Sequence, residues 1–160
     1  FNRASTFPYW FATIALLAAS SSYVNARLVR KLGMRMLTSI AFRAQVCFSA
    51  LVFFVYWLGY FEGQFGFFCF LFWMFSIFFQ AGLTMGNLTA LAMEPVGHIA
   101  GTAASLVSAI ATIGSVLLAA IVGQFFDGTP AAMIAGVALF ATLGSVSSHR
   151  LKRYDRTTKV

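Results

Sequence analysis

Long apolar runs separated by short polar breaks dominate this chain, and none of the runs alternates apolar and polar residues in the manner of a half-buried strand. Cut at bilayer length, roughly 20 residues, they give five segments: 8–24, 37–60, 65–92, 99–126 and 130–148. A transmembrane barrel would show segments of about ten residues with alternating character, and the runs here are about twice that length. In hydrocarbon only helices and closed barrels bond every backbone amide internally. The pattern therefore predicts an all-α integral membrane protein of about five transmembrane helices. Turn residues fall at the same boundaries. Pro95 and Gly97 interrupt the chain after Glu94, Asp127 and Gly128 make a turn, Pro130 suits a first helical turn, and Gly59 and Gly63 flank the connection at 61–64.

Composition agrees: 60% of residues are hydrophobic, 9% are charged, and mean hydropathy is +0.84, too apolar for the surface of a small soluble chain. Charge then adds a direction. Arg27, Arg30, Lys31 and Arg35 crowd the connection at 25–36, and Arg150, Lys152, Arg153, Arg156 and Lys159 crowd the tail at 149–160, whereas the connections at 61–64 and 127–129 carry no Lys or Arg. The positive-inside rule places the basic connection and the tail in the cytoplasm and the other two connections outside. Residues 93–98 are inside by parity. The net charge of +7 does not point to nucleic acid, because the basic residues flank spans without the interleaved aromatics that stack on bases. Position 1 is not Met and residues 1–7 do not resemble a signal peptide, so the chain is expected to be the C-terminal piece of a longer protein. Cys47 and Cys69 fall at different depths of neighbouring spans, and both are expected to be buried thiols without a redox role.

Within the third span Trp73, Ser76, Gln80, Thr84 and Asn87 recur at steps of three or four, and Glu94 continues the stripe. One helical face is thus polar while Phe67, Phe68, Phe70, Phe72, Phe75, Phe78 and Phe79 occupy the others. An unpaired amide at mid-membrane is costly, so Gln80 needs either a partner helix or a water-filled cavity, and both readings stand. The fourth span carries small residues at the same spacing, Gly101, Ser105, Ser108, Thr112, Ser115 and Ala119, a pattern that permits close approach of helices and favours packing over ligand contact.

The remaining charged residues are few. Arg43 lies about two turns inside the second span, and a reach to the surface along its methylene stem is favoured over a functional charge there. Glu94 is within reach of the basic connection, as a latch to one of its arginines or as a solvated carboxylate. His98 and His149 lack neighbours at ligand spacing, so no metal site is expected. No nucleophile elbow, phosphate loop or zinc-protease signature occurs, and no acidic residue lies deep in a span. These absences argue against an enzyme and against a bound cofactor.

The stretch 25–37, NARLVRKLGMRML, and the stretch 82–106, GLTMGNLTALAMEPVGHIAGTAASL, resemble the C-terminal half of a major facilitator superfamily transporter, and more narrowly the Bcr/CflA (bicyclomycin and chloramphenicol resistance) branch of drug/proton antiporters. The resemblance covers essentially the whole chain and makes the five spans equivalent to helices 8–12 of twelve. Lys31, Gly33 and Arg35 match the family's basic loop, but Arg30 stands where the first-half version of that loop is acidic, and Gly86 stands where many relatives have Pro. The resemblance implies export of small amphipathic drugs in exchange for protons by alternating access, powered by the proton gradient, from the inner membrane of a bacterium. It implies a cavity lined by the first, third and fourth spans, with Gln80 and Asn87 foremost, Thr84, Ser76 and Trp73 beside them, and Ser105, Ser108, Ser21 and Asn25 secondary. Arg27, Arg30, Lys31, Gly33, Arg35 and Glu94 become gating candidates, Gly101, Thr112 and Ser115 packing residues, and the N-terminal half of the same transporter a required partner beside the lipid bilayer. The alternative is a stand-alone membrane subunit or scaffold without transport.

Overall fold

A computed structural model describes the backbone of residues 5–157 and the side chains of residues 5–149. Among these residues the structure is all helical: α1 (Phe7–Ala18), α2 (Ser20–Leu32), α3 (Met34–Trp57), α4 (Gly63–Met93), a 3-10 turn (Glu94–Ile99), α5 (Ala100–Gln124) and α6 (Ala131–Thr157). Pro8 lies in the first turn of α1, where a missing N–H costs nothing. Ala19 divides α1 from α2 but keeps nearly helical dihedrals, φ −58° and ψ −25°. The first expected span is therefore a helix with a single irregular residue, and it continues well past 24.

That continuation alters the basic connection. The sequence suggests a loop over 25–36, but helix runs to Leu32, Gly33 is the sole joint, and α3 starts at Met34. Gly33 has φ 76° and ψ 158°, a region essentially closed to residues with a Cβ, and this is how one residue joins two helices. Arg27, Arg30 and Lys31 thus project from the last turns of α2, where cations favourably face the helix C-terminal dipole. Arg27 also lies over the Tyr23 ring at 4.3 Å.

Three helical stretches are long and apolar enough to cross a membrane: Met34–Trp57, the continuous helical stretch Gly63–Gln124, and Ala131–His149. The middle stretch holds α4, the 3-10 turn and α5. Its break lies where Pro95 removes a donor and Val96 (φ −123°) and Ile99 (φ −127°) leave helical space. At the opposite end of α4, Gly59 and Gly63 take positive φ in the tight connection from α3.

The core lies where α4 meets α1, α2 and α3, and α3 also packs along α6. Ile14, Val52, Phe61, Phe67, Leu71, Trp73, Met74 and Ile134 form its buried cluster. Aromatic edges fasten the helices: Trp10 meets Phe67 at 5.4 Å, Phe11 meets Phe78 at 5.4 Å and Phe48 meets Phe72 at 5.5 Å, all near perpendicular, the arrangement that ring quadrupoles prefer. Phe68 and Phe72 remain exposed, as residues facing lipid would. Cys47, expected to be buried, is instead exposed on the outside of α3, while Cys69 is half-buried; both are free thiols. The helical period explains the difference. Beyond its first two turns, the buried positions of α3 fall at 41, 45, 49 and 52, and Cys47 lies on the opposite face.

Helix α5 stands apart. None of its residues is buried, and it touches the rest sparsely, chiefly through the 3-10 turn and α6.

Candidate functional site

The polar stripe of α4 faces its neighbours and forms a seam with α2 and α3. At the end nearer the 61–64 connection, the Trp73 indole N–H donates to Ser49 Oγ at 3.0 Å, and Gln45 Nε2 donates to the same oxygen at 3.2 Å. All three are buried, Trp73 and Ser49 fully. At the other end Asn87 Nδ2 donates to Asn25 Oδ1 at 2.8 Å and to the Leu83 carbonyl at 2.8 Å. Thr84 and Ser76 return their hydroxyls to their own helix, onto the Gln80 and Trp73 carbonyls at 2.9 and 2.7 Å. Each of these donors therefore has a partner, as a low-dielectric surrounding requires.

Ser21 completes the seam. It is buried, and its hydroxyl occupies the space that a Cβ on Gly82 would need, so the absence of a side chain at Gly82 lets α2 approach α4. Thr38 Oγ1 is buried on α3 without a hydrogen-bond partner among the described residues.

Between these two hydrogen-bonded ends the seam opens. A groove of about 370 Å³ is lined by Gln45, Ser76 and Gln80 together with apolar residues of α2, α3 and α4, among them Leu28, Phe48 and Phe79. Gln80 is half-buried there. Its walls are mostly hydrocarbon with a few amide and hydroxyl groups, the composition of small-molecule sites in general. Such a groove orients a ligand weakly and tolerates different shapes.

The stripe of α5 goes elsewhere. Ser105, Ser108, Thr112 and Ser115 are exposed, with hydroxyls bonded back to carbonyls of α5 itself, and a Cβ added at Gly101 would meet nothing. Among the described residues, the structure thus brings together Ser21, Asn25, Trp73, Ser76, Gln80, Thr84 and Asn87, but Ser105 and Ser108 do not join them. Of the expected packing residues, Gly101 and Thr112 are exposed, and Ser115 is exposed at the rim of a groove between α5 and α6. The contact that α5 does make lies further along, where Val122 abuts Gly136 of α6.

At the 94–99 end, Arg35 Nη2 donates to Glu94 Oε2 at 3.2 Å, tying the start of α3 to the end of α4. Both side chains are substantially exposed, so the pair contributes little to stability, about 0–1 kcal/mol. Its significance is positional. Arg27, Arg30, Lys31 and Arg43 are also exposed. The tail's Arg150, Lys152, Arg153, Arg156 and Lys159 lie outside the described side chains.

The sequence reading missed Gln45 and Ser49, although they lie four residues apart inside an apolar span and mark a second polar face at helical spacing. It also passed over Gly82, whose role depends on a residue 61 positions away, the separation from Ser21. Among the described residues no three His, Cys, Asp or Glu side chains gather in a way that would hold a metal ion. Comparison with protein-family models, with curated proteins and with solved structures finds no match for this chain.

Proposed function

We propose that this chain is the C-terminal bundle of a secondary active multidrug exporter of the major facilitator type, in the bacterial inner membrane, exchanging small amphipathic drugs for protons by alternating access. The observation that carries the reading is the groove at Gln80. An amide half-exposed among aromatic and aliphatic walls, between two satisfied clusters at membrane depth, serves binding better than packing. Apolar helices of bilayer length supply the setting. The Arg35–Glu94 pair ties the start of α3, just past the Gly33 joint, to the end of α4 and suits a contact that forms in one conformation and breaks in another. The proton-binding carboxylate would come from the other half, since Glu62 and Glu94 lie at the two ends of α4.

The test is efflux of an ethidium-like dye from cells making the whole transporter with Gln80→Leu. A fall of about tenfold in efflux of at least one substrate, at unchanged protein level, is expected from losing one oriented polar contact in an apolar site. Unaltered efflux of every substrate would sink the groove's role. A second reading, a membrane scaffold without transport, draws on the unburied small-residue face of α5. It expects no efflux from either variant.

A further inference from the structure

Exposed positions at 36, 40, 43, 47, 50 and 54 trace one face of α3, and Arg43 is the one charged residue on it, among Met36, Ile40, Cys47, Ala50 and Phe54. Arg43 takes part in no ion pair or hydrogen bond among the described residues. The chain has four acidic residues, and none is placed to neutralise it. Glu62 and Asp127 belong to the opposite end of the bundle, and Glu94 is paired with Arg35. Asp155 is on α6, eleven positions past Gly144, where the Phe42 ring fills the space of a Cβ. Eleven positions rise about 16 Å, more than two side chains span.

Depth makes this charge demanding. With 24 residues α3 rises about 36 Å, so a centred hydrocarbon layer of about 30 Å puts the Arg43 Cα about 10 Å below its surface. Cα–Cβ bonds tilt toward a helix N-terminus, which for α3 is the basic side of the bundle, so the stem of Arg43 starts toward the nearer leaflet. It covers only part of the distance, and a guanidinium held there without a counterion is costly.

We propose that Arg43 holds the phosphodiester of one anionic phospholipid, drawn inward from the headgroup layer of that leaflet, with an acyl chain along Ile40, Cys47 and Ala50. A guanidinium meets phosphate oxygens through two parallel N–H groups, which fixes the lipid as well as attracting it. A zwitterionic lipid fits less well because its own ammonium comes with the phosphate toward Arg43. A second copy of the chain is a poorer occupant, since a two-fold contact through this face sets Arg43 against Arg43. The site requires α3 to cross a bilayer but requires no transport, so it goes beyond the exporter reading and outlasts that reading's failure.

The test places a bimane fluorophore on Cys47, one turn from Arg43, in the full chain with Cys69→Ser, reconstituted in vesicles of phosphatidylcholine and phosphatidylglycerol with either lipid brominated in its chains. Quenching is expected to show phosphatidylglycerol occupying the site about fivefold more readily than phosphatidylcholine. Arg43→Gln should abolish that preference, Arg43→Lys should keep part of it, and Arg30→Gln should leave it unchanged. Circular dichroism shows that each variant keeps its helices. Equal quenching by the two lipids, or a preference that survives Arg43→Gln, overturns the proposal. A preference lost equally in Arg30→Gln also overturns it, because the attraction is then that of the whole basic surface. So does efficient Cys47–Cys47 disulfide formation by the unlabelled chain in the same vesicles, which gives the face to a second copy. Quenching by neither lipid overturns it together with the membrane placement of α3, whereas a lack of drug efflux leaves it standing.

Discussion

Ser49 is the most demanding single position in the seam, because one hydroxyl oxygen accepts from both Trp73 and Gln45 in a fully buried setting. Ser49→Ala leaves two donors unpaired and is expected to cost about 1 kcal/mol, more than an average interhelical bond between membrane helices, about 0.6 kcal/mol, but less than the two bonds would be worth in a dry vacuum. Reversible unfolding in mixed SDS micelles measures it. In the Ser49→Ala background, Trp73→Phe should then cost less than it does alone, since its indole bond is already gone. Equal costs in both backgrounds would mean that the bond contributes nothing. Trp73, Gln80 and Asn87 were legible in the sequence because helical spacing puts them on one face whatever that face meets. Their partners were not legible. Asn25 is 62 positions from Asn87, and nothing in a one-dimensional pattern pairs them.

Elements were legible where a strong breaker stood between them and blurred where it did not. Pro95 stops α4 close to the expected point, and Gly59 and Gly63 bound the hairpin as the turn residues imply. The 25–36 segment misleads because charge density suggests a loop, whereas Arg, Lys and Leu are good helix formers and only Gly33 opposes them. The α5–α6 connection holds together through Asp127. Its carboxyl lies below the ordinary aspartate range, first through the Thr129 hydroxyl and then through the Thr129 N–H. A group depressed in this way stabilises the fold above its unfolded value, and the contribution disappears as pH falls through the folded value. Asp127→Asn should therefore lower the thermal midpoint slightly at neutral pH, and the two proteins should converge in acid. A gap that widens in acid would reverse the assignment. The effect stays small because the group is fully exposed.

For the whole molecule, the membrane orientation is the property most open to direct test. Basic residues at the α2–α3 joint and along the tail, against connections at 61–64 and 127–129 without Lys or Arg, predict a cytoplasmic C-terminus. Green fluorescent protein fused after residue 160 should fluoresce, and alkaline phosphatase inserted at 61–64 should be active. The opposite pair of outcomes would invert the orientation and place Glu62 in the cytoplasm. Helical class and apolar character were legible from composition alone, since hydrocarbon permits few backbone solutions. Tertiary placement was less so. Nothing in the small-residue stripe of the fourth span indicates that α5 remains unburied, because such a stripe states only that a close neighbour would fit.

Helix α4 has 31 residues and so extends about 46 Å, whereas the hydrocarbon layer is about 30 Å thick. Crossing a bilayer, it must lean, protrude, or do both. Its two end carboxylates, Glu62 and Glu94, then emerge among headgroups, and the seam between them runs obliquely to the membrane plane. Bilayer thickness becomes a mechanical input. A thinner membrane increases the lean of the helix that carries Gln80 and the Arg35 partner, so lipid chain length alone retunes both.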